Sequence, residues 1–232
     1  MRVLAGELGG RKLSSPPVDV ARPTTERVRE ALFDSLTSWG SLQGSVALDL
    51  FAGTGALGIE ALSRGASRAC FVERSHRMVS VLRENLALLG LKERSVVIPR
   101  EVLSWLRSRS AMPRGLPSSP DVPLVVFADP PYGFGGWIQL IESLLAWGGF
   151  PSSAPAILVA ESEAVGGSGS RAGKKPRDTE GFSHRAASRR GAGEAVRESA
   201  VLLGRAVRFE RRYGSTLVTV VELNGPGKGM SS

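Results

Sequence analysis

Cysteine is nearly missing. Cys70, in the apolar run ACFVE, is the only one in 232 residues. A lone thiol excludes an intrachain disulfide and a cysteine-built metal cluster, and the apolar setting marks Cys70 as a core residue. Histidine is scarce as well. His76 and His184 stand far apart, so zinc-ligand spacing is absent and no metal is expected. No apolar run is as long as a membrane span, and the opening MRVLAGELGGRKL lacks the long apolar stretch of a secretory signal. A cytoplasmic chain without membrane contact is expected. Acidic residues are in deficit: 30 Lys and Arg face 22 Asp and Glu, for a net charge of +8. That balance favours a polyanionic partner, with nucleic acid the first candidate. The length suits one large domain, or one domain with an appendage.

The first 22 residues are basic and rich in Gly and Pro, and read as a hairpin or extended arm. In RPTTERVREALFDSL, Thr24 or Thr25 can cap a helix whose Val28, Ala31, Leu32, Ser35 and Leu36 share a face. Five strand-helix units follow. The strands are SVALDLF, RACFVE, RSVVIPRE, VPLVVFADPPY and APAILVAESE. Their apolar character on both alternating positions predicts a parallel sheet covered on each face. RAVRFERRYGST and TLVTVVEL then read as an antiparallel hairpin. Residues 110–123 form a Pro/Ser loop. Residues 166–199 read as a basic, low-complexity insertion with too few apolar residues to offset ordering entropy. The main domain is expected over 23–223, with a disordered tail at 224–232.

Two stretches carry chemistry. In ALDLFAGTGALGIEALSRGA, Gly53, Gly55 and Gly58 spell the G-x-G-x-x-G pattern of a dinucleotide site, with Glu73 at the distance of a ribose-binding carboxylate. Asp49, at the end of the first strand, discriminates between cofactors. It would repel a pyrophosphate but favours S-adenosylmethionine (SAM), which carries ammonium and sulfonium charges. The Phe51-Ala52 step before the first glycine points the same way. Glu73 can accept from ribose hydroxyls. Glu101, after the third strand, is placed to accept from an adenine amino group near the Val102 backbone, and it serves equally as a helix N-terminal acid.

The second stretch is ADPPY, from Asp129 through Pro130 and Pro131 to Tyr132. Two prolines fix the backbone and remove its N–H donors. The Pro130 carbonyl and the Asp129 carboxylate then form a pair of acceptors for an exocyclic NH2, and Tyr132 offers a stacking face. This predicts attack by a nucleobase amine on the SAM methyl, aided by positioning rather than by a strong base.

RPTTERVREALF, DLFAGTGALGIEALSRGA, FVE, ADPPY and RRYGST occur in this order. With them the chain closely resembles the bacterial small-subunit ribosomal RNA guanine-N2 methyltransferases (RsmD-like) over about residues 1–162 and 205–223. The resemblance implies an α/β fold of the class I SAM-dependent methyltransferases: a Rossmann-like three-layer sandwich whose mostly parallel seven-stranded sheet ends in an antiparallel hairpin. It implies methylation of one guanine amine in 16S rRNA, within a small ribosomal subunit or an assembly intermediate, by a monomer that releases S-adenosylhomocysteine. By position it assigns Asp49, Phe51, Gly53, Thr54, Gly55, Glu73, Arg74, Glu101 and Val102 to the cofactor. Asp129, Pro130, Pro131 and Tyr132 fall to the base. Arg11, Lys12, Arg22, Thr24 and Arg27 lie in the segment expected near RNA or the cofactor mouth, and Thr24 could equally be only a helix cap. Tyr213 stacks or packs in the hairpin. Two alternatives stay open: a DNA adenine-N6 methyltransferase, because the same acceptor pair serves that amine, and a noncatalytic RNA-binding assembly factor.

Overall fold

The computed structural model describes residues 1–15, 26–108, 112–117, 119–131, 133–147, 151, 153–164 and 192–224. After an N-terminal hairpin the order is α1 (Glu26–Ser38), β1 (Val46–Leu50), α2 (Ala56–Ser63), β2 (Arg68–Val72), α3 (His76–Leu88), β3 (Ser95–Ile98) and α4 (Val102–Arg107). It continues with β4 (Leu124–Ala128), α5 (Trp137–Ala146), β5 (Ala156–Glu163), α6 (Ala192–Leu202), β6 (Val207–Tyr213) and β7 (Thr216–Glu222).

Every residue of β1 and β4 is buried, because helices cover both faces of the sheet. The sheet has seven strands in the order β3-β2-β1-β4-β5-β7-β6. β1 to β5 run parallel to one another, and β7 runs antiparallel between β5 and β6. Strand alternation divides the core. Ala47, Val125, Phe127, Val159 and Val220 pack with residues of α1, α2 and α3, while Leu48, Val126, Leu158 and Val221 pack with residues of α4, α5 and α6. This is the class I SAM-dependent methyltransferase architecture, with the expected hairpin at one end. β1 and β4 are sheet neighbours but not chain neighbours. The strand order therefore reverses between them, and a crevice opens beyond their carboxyl ends.

The N-terminal residues form a hairpin: Val3 N donates to Arg11 O, Gly10 N to Val3 O, and Leu13 N to Met1 O. A buried ionic cluster holds it to the sandwich. Leu4 N and Ala5 N donate to the Glu60 carboxylate at 2.7 and 3.1 Å, and Arg29 Nη2 donates to Arg2 O at 2.6 Å. Glu60 also pairs with Arg64, whose guanidinium lies over the Phe33 ring. Arg29 is fully buried, and desolvation lowers its pKa against the opposing pull of Glu60, Glu26 and Glu161.

Two sequence expectations need correction. Residues 192–199 of the basic segment are not low-complexity chain but most of α6, which packs on α5 and β5 with Val196 and Ala200 buried. Alanine and valine at helical spacing supply enough apolar surface there. Asn224 is not tail. Its Oδ1 accepts from Ala156 N at 2.6 Å, and its Nδ2 donates to the carbonyls of Pro151 and Ala154, closing the start of β5. Residues 166–191 and 225–232 lie outside the described residues. No described helix is long and apolar enough to cross a membrane.

Candidate active site

β1 delivers its last residues to the crevice and then turns sharply. Phe51 takes a positive φ of 62°, and Gly53 and Gly55 follow at 54° and 85°. Gly55 precedes the first residue of α2, so the helix amino end faces the loop. Asp49 points toward α2 and is 1% exposed; its Oδ2 accepts from Gly58 N at 2.8 Å. The third glycine of the pattern therefore serves packing. A Cβ on Gly58 would lie 2.4 Å from Phe71 Cε1 and 3.1 Å from Asp49 Oδ2. Gly58→Ala is expected to lower stability by about 1–3 kcal/mol through overpacking, measured as a shift in the urea midpoint at unchanged slope.

Glu73 at the end of β2 reaches the same loop. Its Oε2 accepts from Gly53 N at 2.9 Å and its Oε1 from Ser75 N at 2.7 Å. Each oxygen retains a lone pair, so Glu73 can shape the loop and still accept from a ribose. Thr54 is buried, and its carbonyl accepts from Asn85 Nδ2 at 3.0 Å. Asn85, on α3, also holds both backbone groups of Ser14 (at 2.7 and 3.1 Å), so one amide joins the N-terminal hairpin to the glycine loop. A polar residue amid the buried positions Val79, Leu82 and Leu86 was the available signal for it.

Asp129 follows β4. The register Ala128↔Ala160 places it beside Glu161, which is 3% exposed and was not singled out from the sequence. Asp49 registers the charges of Asp129 and, from the end of β2, Glu73. Burial pushes its carboxyl well above the ordinary range, the Gly58 hydrogen bond opposes this, and Asp129 and Glu73 push it further up. Three carboxylates thus bear on one crevice beside a helix amino terminus. Cys70, beneath the site, is buried, and its thiol is pushed up to about 12 by burial and by Asp49. Among the described residues, no group of three or more His, Cys, Asp or Glu is placed to hold a metal.

The other sequence candidates are less convergent. Glu101 caps α4, accepting from Leu103 N at 3.0 Å and Ser104 N at 2.7 Å, so its helix-cap reading is realised; Val102 beside it is buried. Arg74 is exposed next to Glu73. Arg27 is exposed on the first turn of α1. Arg11 and Lys12 are exposed in the hairpin, and Arg11 Nη2 donates to Leu88 O at 3.1 Å. That carbonyl ends α3, so the Arg11 guanidinium is engaged where the hairpin meets that helix. Pro130 and Pro131 follow Asp129 directly. Tyr132, Arg22 and Thr24 lie outside the described residues. Tyr213 packs on the α1-side core with the Arg211 guanidinium 5.4 Å from its ring centre.

Residues 1–165 match the family described as conserved hypothetical protein 95. Over 135 residues the chain is 38% identical to ribosomal RNA small subunit methyltransferase D of Escherichia coli (strain K12), which covers 58% of this chain and 62% of that protein. Over 132 residues it is 35% identical to YlbH of Bacillus subtilis (strain 168), named as a candidate rRNA methyltransferase, covering 57% of this chain and 67% of that protein. The matched region thus spans about two thirds of these curated relatives. Among solved structures, the candidate methyltransferase yhhF of Escherichia coli superposes with a TM-score of 0.66 at 26% identity, over 96% of this chain and 97% of that one.

Proposed function

The chain belongs to the conserved hypothetical protein 95 family, and from that premise we propose that it transfers a methyl group from SAM to the N2 amine of a guanine in small-subunit ribosomal RNA, on an assembling subunit. Relatives in this family are named as small-subunit rRNA methyltransferases, which supports the substrate class. The observation that carries the cofactor assignment is the convergence of Asp49, Glu73 and Asp129 at the switch-point crevice. A pyrophosphate there would meet carboxylates, whereas a ligand bearing ammonium and sulfonium charges meets compensation. The acceptors also fit the rest of an adenosine ligand, with Glu73 toward the ribose and Glu101, through the lone pairs its α4 cap leaves, toward the base. Asp49 keeps its Oδ1 clear of the Gly58 bond for a cationic group.

When bound, SAM supplies an electrophilic methyl. The chain's own groups prepare the nucleophile. The Asp129 carboxylate and the Pro130 carbonyl accept the two hydrogens of the exocyclic amine, which holds the nitrogen lone pair away from both acceptors. Pro130 and Pro131 contribute no backbone N–H to compete for those acceptors. A weakly basic amine becomes a nucleophile by orientation and by stabilisation of its developing positive charge. Asp129 or water takes the proton afterwards. Tyr132 is assigned the stacking face.

The basic segment between β5 and α6 is assigned to RNA contact through Arg171, Lys174, Lys175, Arg177, Arg185, Arg189 and Arg190. Because α6 begins at Ala192, the informative deletion removes 166–191 only. The deletion is expected to weaken RNA affinity and flatten its salt dependence, by up to about 0.7–0.9 in slope per lost phosphate contact. Unchanged affinity and slope would remove the segment from the RNA interface. The function as a whole is tested by mass mapping of small-subunit rRNA from cells lacking this gene. Loss of one N2-methylguanosine, restored by the wild-type gene, is expected. An unaltered rRNA methylation map counts against the reading.

A further inference from the structure

The last β1–β4 register pair is Leu50↔Ala128. Beyond it the two strands give rise to the two loops of the site, one starting at Phe51 and one at Asp129. Their separation decides how far an amine held at Asp129 stands from a cofactor held by the glycine loop, and backbone pairing no longer sets it.

Side chains do. The Phe51 and Phe134 rings meet edge to face, with centroids 5.3 Å apart and planes at 68°. Phe134 in turn meets Trp137 at 5.3 Å and 89°. Trp137 begins α5 and is 1% exposed, so the far end of this chain is fixed in the core. The near end carries strain. Phe51 is the one non-glycine among the described residues with a positive φ, a conformation that persists only where surrounding contacts hold it.

The sequence between Pro131 and Trp137 suits this role. Phe134 N donates to Pro131 O at 3.2 Å and closes a turn onto the proline pair. Gly133 has a φ of 74°, and a Cβ on Gly136 would lie 2.9 Å from Phe134 Cζ. Glycines on both sides let the ring fold back between the loops instead of into solvent.

We infer that Phe134 is a positioning residue that locks the acceptor turn onto the cofactor loop through Phe51, so that cofactor binding orders the turn that receives the base. The inference deepens the methyl-transfer reading and rests on it. Truncating the ring leaves the Asp49, Glu73 and Asp129 side chains intact but frees the spacing between the loops. A displacement near 1 Å at a reacting centre is enough to slow a reaction by up to about a hundredfold.

The test compares wild type, Phe134→Ala and Phe134→Leu. Phe134→Ala is expected to lower kcat about thirtyfold while the SAM Kd stays within about threefold, with Phe134→Leu between the two. Hydrogen exchange supplies a readout that needs no acceptor. S-adenosylhomocysteine is expected to slow exchange at residues 52–58 and at 133–136 in wild type, but only at 52–58 in Phe134→Ala. Should the alanine variant not fold, the leucine variant carries both measurements. A kcat within threefold of wild type overturns the inference, as does protection that still reaches 133–136 without the ring. The exchange result holds whether or not wild type methylates RNA, so failure of this coupling and failure of the methyl-transfer reading are separately visible.

Discussion

Asp129→Ala is expected to reduce methyl transfer by about a thousandfold, the scale set by removing one preorganised electrostatic partner from a developing charge, while SAM affinity stays within a few-fold. The two effects separate because the residues divide the work. Asp49 and Glu73 sit on β1 and β2 and hold the glycine loop through Gly58 N and Gly53 N. Neither bond involves Asp129. The alanine variant also relieves one of the two charges that push the Asp49 carboxyl up. Asp49 then ionises more readily, which partly offsets the lost attraction for a cationic cofactor. Asp129→Asn keeps an acceptor oxygen but not the charge, and its turnover is expected between the two. Single-turnover rates with saturating SAM, together with calorimetric SAM affinity, check this. Turnover near wild type in the alanine variant defeats the acceptor-pair mechanism.

The second large effect concerns Asp49→Asn. The asparagine oxygen can still accept from Gly58 N, so the glycine loop keeps its shape, but the buried negative charge is gone. A unit charge pair in contact at an effective dielectric near 20 is worth about 4 kcal/mol before desolvation. After that discount, SAM affinity is expected to fall about a hundredfold. Stability should move differently. The Asp49 carboxyl lies well above its ordinary value in the fold because of burial. Its contribution to stability is therefore fully present below the unfolded pKa and is lost as pH rises through the raised folded pKa. A cationic ligand prefers the ionised form, so SAM affinity should rise across the same window in wild type. The asparagine variant should lose both slopes and be no less stable than wild type above that window. Thermal melts and SAM titrations against pH supply the measurement. A SAM affinity unchanged by the substitution contradicts the electrostatic assignment.

Much of the sandwich was legible because its strands are buried on both faces. VALDL and LVVFA contain one charge between them, and that charge, Asp49, is the one proposed to face the cofactor. The glycine loop was legible because positive φ restricts Gly53 and Gly55 to residues without a Cβ. The buried ionic cluster was not. Arg29 lies on the same helical face as Leu32, Phe33 and Leu36, a spacing that could have marked it. Its anchor, the peptide of Arg2, is distant in sequence, and charge on a helix face ordinarily means solvent. Glu60 and Asn85 were missed for the same reason, since the hairpin residues they hold lie 55 to 71 residues away. The start of α6 was hidden by its basic, glycine-rich approach, although Val196 and Ala200 carry helical spacing. Phe134 escaped notice because its meaning depends on Phe51, placed opposite it only by the β1–β4 pairing.

On the proposed function, an anionic crevice holds SAM beside an acceptor pair for a guanine amine of small-subunit RNA. Methyl-labelled SAM, incubated with the protein and separately with immature small subunits, naked 16S rRNA or DNA, followed by nucleoside mass analysis, tests it most directly. Label is expected as N2-methylguanosine from small-subunit RNA, and none from Asp129→Ala. Label found only as N6-methyladenine in DNA would contradict it, as would SAM binding without transfer to any of the three.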